Sequence, residues 1–354
     1  MRFAREPGAF LAAVATAFPP HVVDRETTIQ GLARLFPDEN PAFIRGLVMR
    51  SGVETRHLAP SVAEVLAPSD FTQRNRRYAE AGHALALAAT RAALARARVD
   101  PERVDVILDV SCTGLTIPAL DVRLAQDLRL RPDVRRIPIT EAGCAAGALA
   151  LGLGGSLCAA DQVVLVVAVE LCSLTLCEGD RSRTNLVSAA LFGDGAAAAV
   201  LVPGSTGDPR LCAAGSYLIP DSREAMGFDV GAHGMRIVLQ KELPEIVRRD
   251  LGAVIEGFLA QHGRSTRDVG LHLLHPGGRR ILEAYHEVLG LREDQLAFSR
   301  ESLRRYGNLS SVSILTVLEL ALAAGFPLAP GMDALALGVG PGLSLELLLF
   351  TRDA

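Results

Sequence analysis

A chain of 354 residues that is 49% apolar and only 5% aromatic is long enough for two domains around a sizeable core. Its net charge of −4 gives no electrostatic ground for a nucleic-acid or anionic-membrane partner. Cys112, Cys144, Cys158, Cys172, Cys177 and Cys212 form no C-x-x-C pair, so the usual zinc and dithiol signatures are absent. A chain of this size needs no disulfide scaffold, and reduced thiols in a cytoplasmic protein are expected.

The first apolar stretch, Ala9 to Phe18, follows Arg2 and Arg5 and contains Ala13-Val14-Ala15, a loose likeness to a signal peptide. Glu6-Pro7 and Pro19-Pro20 interrupt that pattern. A helical pattern runs over Arg77–Arg98, an apolar strand over Val104–Val110, and a second helix over Leu120–Leu128. Ala142 to Ala160 is uncharged and as long as a membrane span. It is rich in Gly and Ala, and Asp161-Gln162 punctuate it, so a buried helix leading into a strand over Val163–Glu170 is expected. Ala196–Val202 reads as the next strand. The turn-rich Pro203-Gly-Ser-Thr-Gly-Asp-Pro209 then marks a boundary, dividing the chain into residues 1–205 and 206–354. Beyond it come a helix over Leu243–His262, a strand over Leu271–Leu274, a helix over Ser311–Ala324 and a strand over Leu335–Val339. This alternation predicts an α/β fold with sheets covered on both faces and no integral membrane segment. Both parts share a loose plan of helix, apolar strand and a Gly-containing loop that holds a reactive residue.

Three segments carry residues suited to chemistry. In Glu141-Ala-Gly-Cys144-Ala-Ala-Gly147 a lone thiol sits among small residues where a helix begins. The positive end of a helix dipole favours thiolate there, and the small neighbours admit a bulky thioester. A buried structural cysteine is the alternative. His275 ends an apolar strand and opens a Pro-Gly-Gly turn, whereas His272, inside the strand, has no loop context. Asn308, in Tyr306-Gly-Asn308-Leu-Ser-Ser311, either caps a helix or presents its amide to a developing oxyanion; Ser310 and Ser311 are alternative caps. The loops Phe192-Gly-Asp-Gly195 and Gly338-Val-Gly-Pro-Gly342 fit neither a dinucleotide fingerprint nor a phosphate-cradling loop, and read as tight turns at the floor of a pocket. Cys, His and Asn together point to acyl transfer. A papain-like hydrolase uses the same three types, but it places an aromatic directly after its cysteine, and here Ala145 follows. A non-catalytic acyl-binding protein is the remaining class.

With these pieces placed, the sequence resembles the chalcone synthase-like type III polyketide synthases over nearly its whole length. The resemblance rests on Ala15-Thr-Ala-Phe-Pro-Pro20, Arg50-Ser-Gly-Val-Glu-Thr-Arg56, Ser111-Cys-Thr-Gly114, Gly143-Cys144 and Leu191-Phe-Gly-Asp-Gly-Ala196. It continues through His275-Pro-Gly-Gly278, Tyr306-Gly-Asn-Leu-Ser-Ser311 and Gly340-Pro-Gly-Leu-Ser344. It implies a five-layer αβαβα thiolase fold of two related halves, working as a homodimer. CoA thioesters (an acyl-CoA and malonyl-CoA) would be direct substrates, with no cofactor and no metal. It carries the nucleophile to Cys144, the base to His275 and the oxyanion donor to Asn308. Phe192 matches an aromatic gatekeeper. The second gatekeeper falls at Ile237, a departure from the aromatic pattern. Thr175, Ser188 and Ser310 match cavity-lining positions, and Cys112 and Cys172 fall near others. Ile117 matches a residue that reaches into the partner's cavity. Arg45 and Arg50 are candidates for the CoA phosphates. Ketoacyl synthase III enzymes share the three catalytic types, but His275-Pro-Gly-Gly278 favours the polyketide branch. Met226-Gly-Phe-Asp-Val230 with Gly234-Met-Arg-Ile-Val238 looks like bacterial alkylpyrone and alkylresorcinol synthases, which take fatty acyl starters.

Overall fold

Every strand and helix expected above forms, with boundaries moved by a few residues. The computed structural model describes residues 8–176, 179–204, 209–231, 234–329 and 331–352. Strands β1 (Ala9–Ala17), β2 (His21–Asp24), β3 (Thr55–Leu58), β4 (Val106–Val110), β5 (Arg135–Ile139), β6 (Val164–Leu171) and β7 (Asp194–Pro203) build the first part. With them run helices α1 (Arg25–Leu35), α2 (Pro41–Arg50), α3 (Val62–Leu66), α4 (Phe71–Arg77), α5 (His83–Ala97), α6 (Leu120–Leu128), α7 (Ala146–Cys158) and α8 (Arg183–Leu191). The second part holds β8 (Arg210–Leu218), β9 (Met226–Gly231), β10 (Gly234–Leu239), β11 (Val269–Leu274), β12 (Asp333–Gly340) and β13 (Ser344–Thr351). Its helices are α9 (Leu243–Gln261), α10 (Arg279–Leu289), α11 (Ala297–Tyr306) and α12 (Val312–Ala323).

The Ala9–Phe18 stretch that mimics a leader is thus the strand β1 and its exit. The helix expected over Arg77–Arg98 starts earlier and is interrupted. Asp70 and Gln73 form a capping box that begins α4, and a wider π turn over Tyr78–Gly82 joins it to α5. Among the described residues no helix is long and apolar enough to cross a membrane. Cys112, Cys144, Cys158, Cys172 and Cys212 are free thiols, and Cys177 lies outside the described residues.

Nine strands follow one another in the order β11-β12-β13-β8-β1-β7-β6-β4-β5. The seam β1–β8 is only two residue pairs long, Ala9 with Leu211 and Phe10 with Arg210, so two sheets touch there rather than one sheet running through. Each side repeats one plan. β4 and β6 are parallel, β6 and β7 antiparallel, β7 and β1 antiparallel. Correspondingly, β11 and β12 are parallel, β12 and β13 antiparallel, β13 and β8 antiparallel.

Alternating residues of each strand enter different cores, as the pleat dictates. Val164, Val166 and Ala168 of β6 face the same core as Ala334 and Ala336 of β12. That shared core holds α7 and α12, whose stretches Ala146–Cys158 and Val312–Ala323 are apolar nearly all round and therefore suited to complete burial. The opposite face of the first sheet packs on α5 and α6, and that of the second on α9 and α10. The layers run α-β-α-β-α. Where the two central helices begin they nearly touch: a Cβ on Gly147 would stand 2.2 Å from the Ser311 carbonyl oxygen, so only glycine fits.

Candidate active site

Parallel strands release their chains at one end, and ligands in such sheets bind outside the carboxyl ends. Here β4 leads to Ser111-Cys112-Thr113, β5 to the Cys144 turn, β6 to Cys172, β11 to His275 and β12 to Pro341. Every sequence segment singled out for chemistry therefore meets at one place. Cys144 sits in a 3-10 turn directly before α7, as the helix-start reading expects. Its thiol donates to Ser310 Oγ at 3.3 Å, and the Cys112 sulfur lies 3.4 Å from the same oxygen. Ser310 stands at φ +52°, a left-handed conformation uncommon outside glycine.

The Asn308 side-chain amide is engaged at both ends. Its Oδ1 accepts from Ser310 N at 2.8 Å and from Ser313 Oγ at 3.3 Å, which is the cap-like role. That fixes the orientation of Nδ2, which donates toward the Gly277 carbonyl at 3.4 Å, a long contact that leaves donor capacity free. Ser310 and Ser311 do not act as side-chain caps: Ser311 Oγ donates to Glu170. Backbone bonds tie the site across the two halves. Gly193 N donates to Asn308 O and Asn308 N to Leu191 O, both at 3.0 Å, making a parallel bridge between Phe192 and Asn308. The Gly277 N–H donates to the His275 carbonyl at 2.9 Å, and His275 N to Leu337 O at 2.8 Å. The His275 ring is buried with Nδ1 unpartnered.

Burial dominates the electrostatics. It pushes the Cys144 thiol up to about 12, with the Ser310 hydrogen bond pulling the other way, and pushes His275 down to about 4. The helix start's pull toward thiolate is thus opposed by burial, which works against the charged form of both groups.

A cavity of about 1130 Å³, its open mouth included, lies against this cluster. Cys112, Cys144, Cys172, Thr175, Ser188, Phe192, Ile237 and Ser310 all line it, as does Pro341 from the Gly-rich loop expected at the floor. Met226, Gly227, Phe228 and Leu239 of the β9–β10 hairpin form one wall. The cavity continues between α1 and α3, where Leu32, Leu35, Val62, Val65 and Leu66 line it. Five candidates are not among the lining residues. Asn308 stands behind Ser310, joined to it by the hydrogen bond above, and its amide reaches the Gly277 carbonyl next to the buried His275. The other three lie farther out. Ile117 is fully exposed on the outside of this single chain. Arg45 and Arg50 are exposed on α2, with Arg45 paired to Glu26 at 3.1 Å.

Two supporting residues escaped the sequence reading. Glu170 is fully buried at the end of β6 and accepts from Cys112 N at 3.1 Å, Thr113 Oγ1 at 2.8 Å and Ser311 Oγ at 2.5 Å. Burial holds its carboxyl above the usual range, against those hydrogen bonds. Its signal was a carboxylate closing an otherwise apolar strand. Arg56 is buried and donates to the Ala189 and Phe192 carbonyls at 2.6 and 2.7 Å, clamping the turn before the Phe192–Asn308 bridge. Burial lowers Arg56 to about 10, partly opposed by Asp194.

Known proteins share this arrangement. Residues 1–206 match the family model for the N-terminal domain of chalcone and stilbene synthases, and residues 210–352 match that for the C-terminal domain. The chain is 39% identical to the 1,3,6,8-tetrahydroxynaphthalene synthase of Streptomyces peucetius, over 97% of this chain and 93% of that one. It is 31% identical to a putative chalcone synthase of Bacillus subtilis, over 98% and 99%. The crystal structure of tetrahydroxynaphthalene synthase from Streptomyces coelicolor, a bacterial type III polyketide synthase, superposes with a TM-score of 0.92 at 32% identity, covering 98% of this chain and 99% of that one. The fold is the five-layer thiolase fold, and the chain belongs to the chalcone and stilbene synthase family of type III polyketide synthases.

Proposed function

We propose that Cys144, His275 and Asn308 carry the condensation chemistry, and that the starter is a medium or long fatty acyl-CoA giving an alkylpyrone or alkylresorcinol. His275 takes the Cys144 proton, the thiolate attacks the starter thioester, and the CoA thiolate leaves. Malonyl-CoA then loses carbon dioxide, and its enolate oxygen is held by the Asn308 amide and the His275 ring. The enolate carbon attacks the Cys144 thioester, returning the thiolate and a chain longer by two carbons. CoA thioesters suffice as substrates, and no cofactor enters.

The observation that carries this reading is the continuity of the site. The Cys144–Ser310–Asn308 hydrogen bonds stand beside a cavity that runs on past Thr175 and Ser188 into apolar space between α1 and α3. An alkyl chain would bury there at about 0.8 kcal/mol per methylene. Ile237, smaller than an aromatic ring, lines the same space. Ile117 would complete a partner's cavity in a homodimer, and Arg45 and Arg50 would meet the CoA phosphates.

The relatives favour a second reading. The Streptomyces enzymes are named for a naphthalene bearing only hydroxyl groups, which leaves no place for an alkyl tail. Purified protein given malonyl-CoA with and without a panel of acyl-CoA starters decides. Alkylated products that lengthen with the starter support the proposal. The same hydroxylated product with every starter supports the second reading. Free acid alone would indicate hydrolysis, and unchanged thioesters would indicate binding without turnover.

A further inference from the structure

Gly31 lies within α1, a helix capped by Asp24 at one end and closed normally at the other. A glycine inside a helix is unfavourable relative to alanine unless something requires it. The usual requirements are missing here. Gly31 is not among the glycines with positive φ. A Cβ built on it meets only Val62 Cγ1, at 3.8 Å, an ordinary contact with no backbone in the way. Gly31 nevertheless lines the cavity, together with Leu35, Val62 and Leu66. The helix does not need a glycine at this position, and the glycine leaves this part of the cavity wall without a side chain.

We infer that Gly31 sets the length of acyl chain the enzyme accepts: the far end of the alkyl tail lies against α1, opposite Val62, and a side chain at Gly31 would occupy that end. The inference rests on the acyl-starter reading above and adds the residue that measures the chain. The mechanism is steric. With Val62 already at contact distance from a Cβ at Gly31, the longer side chain of leucine or phenylalanine has to turn along the cavity and fill it. Short starters end before the filled region and long ones collide with it.

The test uses Gly31→Leu and Gly31→Phe, with Val62→Phe reaching the same space from the opposite wall. Turnover is measured with saturated acyl-CoA starters from butanoyl to hexadecanoyl, each with malonyl-CoA, and the Cys144 adduct is weighed by intact-protein mass spectrometry. The expected result is a fall of about tenfold or more in the ratio of long-starter to short-starter kcat/KM. Phenylalanine should cut off at a shorter chain than leucine, and Val62→Phe should shift the cutoff the same way. Thermal melting of each variant shows that it is folded. A uniform loss across all starters, or across malonyl-CoA alone, would overturn the inference by placing Gly31 on the route of CoA itself. An unchanged starter profile in all three folded variants would also overturn it. If the native enzyme loads no alkyl starter at all, the acyl-starter reading fails and this inference with it, a pattern visible before any variant is made.

Discussion

Replacing Gly307 by alanine should damage both stability and chemistry, because this residue lets the two halves meet beside Asn308. Gly307 ends α11 at φ +72° and ψ −164°, a region open essentially to glycine alone. Forcing an L-residue there costs roughly 1–3 kcal/mol. A Cβ would also lie 2.5 Å from the Leu191 carbonyl oxygen, the acceptor of the Asn308 N–H. Relief of such overpacking typically costs a further 1–3 kcal/mol. The expected total is about 2–6 kcal/mol. Unfolding entropy of about 2.1 cal/mol/K per residue over 354 residues converts this to a melting shift of roughly 3–8 °C. Pushing Leu191 away also turns the Asn308 amide, so release of labelled carbon dioxide from malonyl-CoA should fall at least about tenfold, given what a lost oxyanion donor costs. Gly290→Ala is the control: it too has positive φ (+60°), but nothing lies within 4 Å of its Cβ. It should cost about 1 kcal/mol and leave decarboxylation alone. Should Gly307→Ala match Gly290→Ala in both melting and carbon dioxide release, the bridge does not hold Asn308 and the reasoning is wrong.

Asn308→Ala should slow malonyl-CoA decarboxylation about 100–1,000-fold while Cys144 still forms an acyl adduct, read by mass spectrometry; decarboxylation at the native rate would leave Asn308 as a helix cap only. His275→Ala removes the proposed proton acceptor of Cys144, a thiol that burial already pushes up to about 12. Its alkylation by iodoacetamide should then be slow at neutral pH and rise about tenfold per pH unit up to pH 10, and a plateau near pH 7 would show that the ring is not the proton acceptor. His272 is pushed down to about 4 by burial and has no mechanistic role. Its folded value lies below its unfolded one, so its contribution is complete above about pH 6.5 and is lost as the pH falls toward 4. At pH 5 that loss is about 2 kcal/mol, and His272→Leu should show a correspondingly smaller drop in melting temperature between pH 7.5 and 5. An equal drop in both proteins would mean that the ring titrates normally.

The strands were legible because they are buried on both faces. β6 and β12 have no polar side to confuse the pattern, so their apolar runs stand out between turn residues. The Cys144, His275 and Asn308 loops were legible for a related reason, since each interrupts an apolar element with a residue that has no packing purpose. Glu170 and Arg56 were harder. Their roles depend on partners far along the chain, Ser311 for one and Ala189 and Phe192 for the other, and no local period encodes such a pairing. The π turn at Tyr78–Gly82 was hidden because its residues are as compatible with an α-helix as with a wider one. The upward push on the Cys144 thiol was hidden because a helix terminus is visible in sequence and depth of burial is not.

The position of β1 has a consequence for how this chain is made. Its nine residues, Ala9–Ala17, are almost all apolar and pair with β7, which begins only at Asp194. At a synthesis rate of about 5–20 residues per second, the first strand waits roughly 10–40 s before its partner exists. Late in that interval β4 and β6 can assemble with α5 and α6 beside an unfilled slot. A free apolar segment with two open edges is what holdase chaperones bind and what neighbouring nascent chains pair with. Yield in a cell should therefore depend on translation speed across the stretch between Phe18 and Asp194 more than on the stability of the finished fold. Slowing codons placed there lengthen the exposure of β1, and the same codons placed after β7 do not.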